Sequence, residues 1–400
     1  MKPRHIEPII LRYAQQYPII AIVGPRQSGK TTLARHLFPG HSYLSLESPD
    51  VRAMASEDPR AFLEQVSGGM IIDEVQRVPK LFSYLQEYVD ANQEPGRYVL
   101  TGSQQFMLME GITQSLAGRV ALFTLYPFSY AELVESNPSS FIPSGMLHVP
   151  SSRCSFAQIA LNGFYPRVHD KALDPVMWYE QYITTYIERD VRLLAQVGNL
   201  DLFHLLLKLI AGRTGSLVNY ASLANELGVA LPTVKRWVSL LHTSGILFLL
   251  KPWFKGYGKR LVKTHKMYLV DVGLACSLLG IDSQQVLRTH PAYGALFENM
   301  VIAELYKMIA HGGMRAELSF WRDKTGNEVD CLVESGMNLL AVEIKSAQTY
   351  NPSMRDSLNR WLSIAGESAA RGYLVYDGKT VPDSKNAVKI VSWQDVVTGG

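Results

Sequence analysis

The sequence lacks paired cysteines, long apolar runs and a strong net charge. Its three cysteines, Cys154, Cys276 and Cys331, form no C-x-x-C pair and no metal-binding spacing, which favours reduced thiols in the cytoplasm. No stretch approaches the ~18 apolar residues that a membrane-spanning helix needs, and the first residues do not have the pattern of a signal peptide. We therefore expect a cytoplasmic protein with no membrane partner.

Charge and length narrow the range of protein classes. A formal net charge of +3 says little about binding partners, so local clusters of charge matter more. The chain has 400 residues, of which 47% are hydrophobic and 19% charged, as in soluble globular proteins. This length predicts two or three domains, and no internal repeat of fixed period is present.

The clearest motif is GPRQSGKT, residues 24–31, which matches the phosphate-binding pattern G-x-x-x-x-G-K-[ST]. It follows an apolar run at 18–24 that is typical of a buried strand, and a helix is expected from Lys30 onward. Lys30 would contact the β- and γ-phosphates of ATP, and the Thr31 hydroxyl would ligate Mg²⁺. The predicted nucleotide-binding residues of this loop are Gly24, Pro25, Arg26, Gln27, Ser28, Gly29, Lys30, Thr31 and Thr32.

Three further apolar runs, at 43–47, 69–74 and 97–103, alternate with helical segments. This alternation predicts an α/β fold with a doubly wound parallel sheet, because parallel strands need crossover helices between them.

Polar residues at the ends of these runs extend the predicted site. Asp73 would hold Mg²⁺ through water, and Glu74 would polarise the water that attacks the γ-phosphate. Thr101 or Ser103 could reach the γ-phosphate or the same water. Arg119 is a candidate cation for the charge that develops in the transition state, in its own or a neighbouring subunit.

A stretch rich in Ser and Pro at 136–154 predicts a boundary loop. After an aromatic-rich helix, three helical segments and two apolar strands follow, in an order typical of a winged helix. From Leu227 to Val270 the sequence has eight Lys or Arg residues and no Asp or Glu. Aromatic residues are interleaved with these cations, which favours nucleic-acid binding over a solvated loop or a protein contact. The predicted nucleic-acid residues are Lys235, Arg236, Lys251, Lys255, Lys259, Arg260, Lys263 and Lys266.

The stretch NEVDCLVESGMNLLAVEIKS, residues 327–346, predicts a hairpin with a turn at Ser335-Gly336. Side chains alternate across a strand, so Asp330, Glu343 and Lys345 can share one region of the hairpin. Glu298 on the preceding helix is a candidate fourth member. Two interpretations stay open: a surface charge pair, or a Mg²⁺ site at which Lys345 orients the nucleophile during phosphodiester hydrolysis.

Taken together, these motifs resemble those of a widespread prokaryotic family of AAA-type ATP-binding proteins with a C-terminal domain of uncharacterised function. The resemblance covers nearly the whole chain and rests on GPRQSGKTT, IIDEVQ, VLTGSQ, SLAGRV followed by LYPFSYAEL, GFYP, YIERDV, GNEVDCLVE and AVEIKS. The last two motifs are similar to the PD-(D/E)xK nuclease superfamily, which implies catalytic or metal-binding roles for Asp330, Glu343, Lys345 and Glu298. Val329 stands where that superfamily has proline.

From the motifs and the resemblance we expect four segments. These are an AAA-type P-loop ATPase domain at 1–135, a linker loop and helical connector at 136–196, a winged helix at 197–272, and a small α/β restriction-nuclease-like domain at 285–400. The favoured interpretation is an ATPase that uses ATP and Mg²⁺ and acts on nucleic acid, with DNA preferred to RNA; cleavage by the C-terminal domain and oligomerisation are left open. One alternative is a nucleotide-gated binding switch with an inert nuclease-like domain, and another is a regulator that remodels proteins.

Overall fold

Two β-sheets organise the described part of the chain. The structure is a computed structural model and describes residues 2–103, 115–136, 154–187, 199–253, 264–323, 325–365, 371–381 and 388–398. Four of the predicted nucleic-acid residues, Lys255, Lys259, Arg260 and Lys263, lie outside these ranges.

The first sheet belongs to residues 2–136, here called the P-loop unit. Its strands are β1 (Ile19–Val23), β2 (Ser42–Ser45), β3 (Met70–Asp73), β4 (Tyr98–Gly102) and β5 (Val120–Thr124). All pairs are parallel, in the order β2-β3-β4-β1-β5, which confirms the predicted parallel sheet. The register places the carboxyl ends of β1, β3 and β4 at one edge, because Val23 pairs with Gly102 and Ile72 with Leu100. The loops that carry the predicted nucleotide residues therefore converge there.

Helices cover both faces of this sheet. They are α1 (Glu7–Ala14), α2 (Lys30–Leu37), α3 (Pro49–Glu57), α4 (Pro59–Glu64), α5 (Leu81–Ala91) and α6 (Tyr130–Leu133). Alternate residues of β1 point to opposite faces: Ile20 and Ile22 pack in one apolar cluster with α1 and α2, whereas Ile19 and Ala21 pack in another with α5. A strand buried on both faces needs a continuous apolar run, which is why β1 is visible in the sequence.

Residues 154–289, the middle unit, are mainly helical. Its elements are α7 (Phe156–Asn162), α8 (Pro166–Asp170), α9 (Pro175–Tyr182) continued by a π-helical turn (Ile183–Ile187), α10 (Leu200–Gly212), α11 (Tyr220–Leu227), α12 (Leu231–Thr243), β6 (Leu247–Pro252), β7 (Lys266–Leu269), α13 (Val272–Leu278) and α14 (Gln284–Thr289). Asn199 and Asn219 cap α10 and α11 through their side chains, and Gly228 ends α11 at φ +64°. The three helices and two strands lie where the sequence predicts them, while the winged-helix class stays a prediction.

The remaining residues, 293–398, form the C-terminal unit. Its elements are α15 (Tyr293–Gly312), β8 (Glu317–Arg322), β9 (Glu328–Ser335), β10 (Asn338–Lys345), a 3-10 turn (Pro352–Arg355), α16 (Asp356–Ala365), β11 (Arg371–Tyr376), β12 (Val388–Ser392) and α17 (Trp393–Val397). β9 and β10 form the predicted antiparallel hairpin, with the turn at Gly336 and Met337, one residue later than expected. The restriction-nuclease-like class stays a prediction.

The middle and C-terminal units share one sheet of seven strands, in the order β12-β11-β10-β9-β8-β6-β7. β6 pairs with β7 through Leu247 and Leu269 and also with β8 through Lys251 and Ser319. One apolar cluster runs from Tyr126 in the P-loop unit through the middle unit to Val397. The three units are thus continuous in their packing. Across the described ranges, no helix has both the length and the apolar character needed to cross a bilayer.

Candidate nucleotide site and C-terminal acidic cluster

Glycine shapes the phosphate loop between β1 and α2. Gly24 has φ +143°, and a Cβ atom there would overlap the carbonyl of Leu125. Gly29 has φ +95° and forms the N-cap of α2. Both conformations favour glycine, which lets backbone amides of the loop and of the first turn of α2 turn toward a bound phosphate.

The Lys30 side chain lies inside the curve of this loop. It is 7% exposed, and its Nζ donates to the carbonyls of Gly24 (3.0 Å) and Pro25 (2.8 Å). The first turn of α2 itself carries no acidic residue. A cation held at a helix N-terminus is suited to phosphate oxygens, as the motif predicts.

Asp73 at the end of β3 is the centre of a hydrogen-bond cluster. Its Oδ1 accepts from the hydroxyls of Thr31 (3.0 Å) and Thr101, and its Oδ2 accepts from the Tyr43 hydroxyl at 2.8 Å. Burial, together with this bond to Asp73, raises the pKa of Tyr43 to about 12. Thr31 and Asp73 thus present neighbouring oxygens of the kind that Mg²⁺ prefers.

Glu74 follows directly, in the left-handed region at φ +54°. Its Oε2 accepts from the Ser103 hydroxyl (3.0 Å) and from the Gln76 amide. Burial would raise the pKa of Glu74, but the charges of Lys30 and Arg26 and these hydrogen bonds hold it below its ordinary value. Thr101 and Ser103 therefore bind the two carboxylates, whereas the sequence suggested contacts with the γ-phosphate or water.

A cavity of about 520 Å³ connects these groups. Its lining residues are Arg26, Gln27, Gly29, Lys30, Thr31, Thr32, Glu47, Asp73, Glu74, Pro166, Arg167, Asp170 and Lys171. The last four come from α8 and the residue after it, in the middle unit. Sequence reasoning missed the cations Arg167 and Lys171, although Arg167 directly follows the GFYP motif, because more than a hundred residues separate both from the phosphate loop.

Tyrosine hydroxyls hold α8 against the phosphate loop. Tyr165 and Tyr182 share a hydrogen bond of 2.9 Å, and the Tyr182 hydroxyl also donates to the Arg26 carbonyl at 3.2 Å. Tyr179 donates to Asp271, the N-cap of α13, at 2.7 Å. A Cβ atom at Gly163 would overlap the Tyr179 hydroxyl, so this close approach requires glycine.

Arg119 lies at the other edge of the sheet from the phosphate loop. It precedes β5, and its carbonyl accepts from the amide of Ile19, the first residue of β1 (3.3 Å). Its guanidinium pairs with Asp90 at 2.6 Å. The structure therefore does not bring Arg119 to the nucleotide site of its own chain.

The predicted hairpin residues of the C-terminal unit, Asp330, Glu343 and Lys345, lie close together. β9 has one residue more than β8 between Val329 and Leu332, and this β-bulge breaks the alternation expected there. Asp330 Oδ2 accepts from the amide of Ile344 (2.8 Å), and Lys345 Nζ lies 2.7 Å from Glu343 Oε1. Burial and the charges of Glu298 and Glu343 raise the pKa of Asp330 well above its usual range. Burial likewise raises the pKa of Glu343.

Lys266, predicted to bind nucleic acid, supplies a cation to this cluster instead. Its Nζ lies 3.2 Å from Glu298 Oε1 and also pairs with Glu328, and the Lys266 side chain is 4% exposed. Within the described ranges, no three His, Cys, Asp or Glu residues are grouped so as to hold a metal ion. The predicted metal site of Asp330, Glu343 and Glu298 stays a prediction; in the structure Glu298 pairs with Lys266 at 3.2 Å and Glu343 pairs with Lys345 at 2.7 Å.

The other described basic residues divide into two groups. Lys235 and Arg236 are exposed on α12, while Val234, Trp237 and Leu241 of the same helix are buried. Lys251 is exposed but pairs with Glu317 on β8. Of the described cations in the predicted set, only those of α12 have the exposure and position expected of a helix that contacts phosphates.

Three family models match the chain, and their limits agree closely with those of the P-loop, middle and C-terminal units. Residues 16–134 match the AAA domain family, 153–285 match a domain of unknown function (DUF8612), and 293–396 match another (DUF4143). The chain thus contains an AAA-type P-loop domain.

Similar proteins come from a bacterium and an archaeon. The uncharacterized protein Rv2008c of Mycobacterium tuberculosis is 32% identical over 393 residues, which cover 97% of this chain and 83% of that protein. The uncharacterized protein MJ1637 of Methanocaldococcus jannaschii is 28% identical over 200 residues, 48% of this chain and 40% of that protein.

Among solved structures, the Walker-type ATPase PABY2304 of Pyrococcus abyssi is 14% identical, with a TM-score of 0.44 over 70% of this chain and 96% of that chain. The Holliday junction branch migration motor RuvB of Thermotoga maritima is 18% identical, with a TM-score of 0.29 over 60% of this chain and 86% of that chain.

Proposed function

The chain belongs to the same family as the uncharacterized mycobacterial protein Rv2008c, and we propose that it binds and hydrolyses ATP. The observation that carries the proposal is the environment of Glu74. Its carboxylate lines the phosphate-loop cavity, is fixed by Ser103 and Gln76, and has a lowered pKa that keeps it ionised at neutral pH. An ionised carboxylate beside a phosphate site can orient water for attack and take up its proton.

The other residues divide the work of binding. Loop amides and Lys30 would bind the β- and γ-phosphates from one side, and Arg167 and Lys171 would approach them from α8 on the other. Thr31 and Asp73 fit Mg²⁺, since their oxygens are neighbours at 3.0 Å and Asp73 is 8% exposed. When bound, Mg²⁺ neutralises charge on the phosphate oxygens. Glu74 would orient the attacking water and take up its proton.

Two variants test this division. Glu74→Gln keeps the shape of the side chain but removes its charge, so ATP binding should persist while turnover falls by about 100-fold or more. Lys30→Ala should weaken ATP binding itself. Phosphate release measures turnover and titration calorimetry with ATP·Mg²⁺ measures affinity. Glu94→Gln, at an exposed carboxylate beside Arg97, is the matched control. Full turnover in Glu74→Gln, or unchanged affinity in Lys30→Ala, would contradict the assignment.

A second proposed activity is nucleic-acid binding through α12, with DNA preferred to RNA. The exposed pair Lys235 and Arg236 supports it, together with the absence of Asp and Glu from Leu227 to Val270. Cations on a helix face bind phosphates with an affinity that falls as salt rises, because bound counterions are released. In this proposal nucleotide binding would change the affinity of the middle unit for nucleic acid, because α8 of that unit lines the nucleotide cavity.

The salt dependence of binding distinguishes phosphate contacts from a solvated helix face. Lys235→Ala combined with Arg236→Ala should weaken duplex binding and reduce the slope of log affinity against log salt by roughly 0.9 per lost contact. The control combines Arg12→Ala with Lys80→Ala, which removes two exposed cations from the P-loop unit. Fluorescence anisotropy with duplex and single-stranded DNA gives both slopes. Equal slopes for the wild-type protein and the α12 variant would show that this helix does not bind phosphates.

We propose further that the C-terminal unit does not cleave nucleic acid. Of the two interpretations of the nuclease-like domain, an inert domain and a cleaving domain, two observations favour the inert one. Lys266 pairs with Glu298 and Glu328, and Asp330 Oδ2 accepts a hydrogen bond from the backbone amide of Ile344. Acids neutralised by ammonium groups have no ligand set ready for a divalent ion.

A further inference from the structure

Lys266 crosses from one unit of the protein to another. It is the first residue of β7 in the middle unit, yet its ammonium group meets Glu298 on α15 and Glu328 on β9, both in the C-terminal unit. Tyr268, two residues later on β7, faces the same way because side chains alternate along a strand. Its hydroxyl donates to the same Glu298 oxygen at 2.7 Å. Two side chains of β7 thus converge on one carboxylate.

The site is buried on the lysine side. Lys266 is 3% exposed, and its ammonium lies 5.7 Å from the ring centroid of Phe320 on β8. Two carboxylates of the C-terminal unit receive this ammonium group: Glu298 at 3.2 Å, and Glu328. A buried charge persists only with partners, and here every partner named is an acid of the other unit.

We propose that Glu298 and Glu328 form an ammonium clamp for Lys266, which fastens β7 to α15 and β9 and occupies the Glu298 oxygen that a metal site would need. The clamp assigns the acids a binding partner within the same chain. It also removes Lys266 from the residues available to nucleic acid. Divalent ions and Lys266 would compete for the same oxygens, so the clamped form has little affinity for Mg²⁺ or Mn²⁺.

A double-mutant cycle tests the clamp. Lys266→Met keeps the length of the side chain but leaves buried acids without their cation, so the melting temperature should fall by about 5 °C or more. Glu298→Gln should lower it as well, and the double variant should lose clearly less than the sum of the two. The matched cycle combines Lys251→Met and Glu317→Gln, at an exposed pair on the neighbouring strands β6 and β8, where the effects should be small and additive.

Additive losses in the Lys266–Glu298 cycle would overturn the proposal, as would a Lys266→Met variant that melts with the wild type. If Lys266→Met does not fold, Glu298→Gln and Lys266→Arg decide the matter, because only the arginine variant keeps the charge and should keep most of the stability. Melts of the nucleotide-free protein with and without MnCl₂ add an independent arm. A manganese-dependent stabilisation of the wild type that Asp330→Asn abolishes would show a metal site instead. ATP turnover of Glu298→Gln is measured at low temperature, where the variant is folded. Because Glu298 lies outside the nucleotide cavity, this turnover should match that of the wild type whether or not the clamp exists, so the two proposals are tested separately.

Discussion

Tyr43 gives the nucleotide site a contact that no sequence motif marks. It lies on β2, next to β3 in the sheet, where Ser45 is opposite Asp73. Its hydroxyl holds Asp73 Oδ2, while Thr31 and Thr101 hold Oδ1. The carboxylate is therefore fixed in one orientation by three donors from three elements. Partners of this kind around metal-binding carboxylates orient them and tune their affinity.

At the residue scale, Tyr43→Phe removes this donor and leaves the ring. We expect the Mg²⁺ concentration for half-maximal ATP turnover to rise by about 10-fold, with a smaller change in the maximal rate. A Mg²⁺ titration of phosphate release at saturating ATP measures both. Tyr88→Phe is the control, since its hydroxyl also binds a carboxylate, Glu64, but at the exposed surface. An unchanged Mg²⁺ requirement in Tyr43→Phe would mean that the two threonines orient Asp73 without help.

At the scale of elements, α8 connects the middle unit to the nucleotide cavity. It is a helix of five residues, and its position depends on the tyrosines around it more than on its own stability. Gly163 allows Tyr179 to approach closely, and Tyr179 in turn binds Asp271 at the start of α13. The placement of Arg167 and Lys171 beside the phosphate loop follows from that packing.

Gly163→Ala tests the packing beneath α8. The added methyl group would meet the Tyr179 hydroxyl at a backbone φ of +58°, so two costs combine. We expect the free energy of unfolding to fall by at least about 3 kcal/mol and ATP affinity to fall with it. Gly228→Ala has φ +64° with open space around its Cβ position, and should cost only about 1 kcal/mol. If urea denaturation gives equal losses for the two variants, the close approach at Gly163 contributes nothing.

The elements differ in how far their sequences predict them. β1 to β4 and the start of α2 could be predicted, because burial on both faces and a glycine-rich turn leave local signatures. β5 was missed because its short apolar run VALFT is largely half-buried, which gives a weaker signal than the fully buried strands. The bulge at Asp330 was missed because it depends on the partner strand β8. Arg167, Tyr43 and Lys266 were missed or given another role for the same reason, since their contacts are fixed by residues far away in sequence.

At the scale of the whole molecule, a buried polar network joins the phosphate loop to the C-terminal unit. Arg4 donates to the carbonyls of Ser28 (3.0 Å) and Tyr126 (2.7 Å) and lies 3.1 Å from Glu132 Oε1. His311 on α15 accepts from the Tyr126 amide through Nε2, so its Nδ1 carries the proton toward Glu132, 3.4 Å away. Burial lowers the pKa of His311, and the neighbouring Glu132 carboxylate opposes that shift.

Glu132 is the acid of this network. Burial would raise the pKa of Glu132, but His311 and Arg4 hold it well below its usual range. Glu132→Gln would leave the Arg4 charge buried without a counter-ion, and we expect a loss of about 3–5 kcal/mol in the free energy of unfolding. Glu135→Gln, at the exposed pair with Lys2, should leave the free energy of unfolding almost unchanged, because solvent screens this pair. Urea denaturation followed by fluorescence compares them. Similar small losses would mean that Arg4 is neutralised by its carbonyl partners.

The sheet that runs through two units has a consequence for how the chain can be divided. A fragment that starts near residue 293 would contain the match to the last domain family but not β6. Its strand β8 would then lose the bonds to Lys251, Pro252 and Trp253 and become a bare edge of unpaired amides and carbonyls. Such edges pair with other chains and aggregate. The C-terminal part of this protein is thus better isolated together with residues 247–269 than at the boundary that sequence similarity indicates.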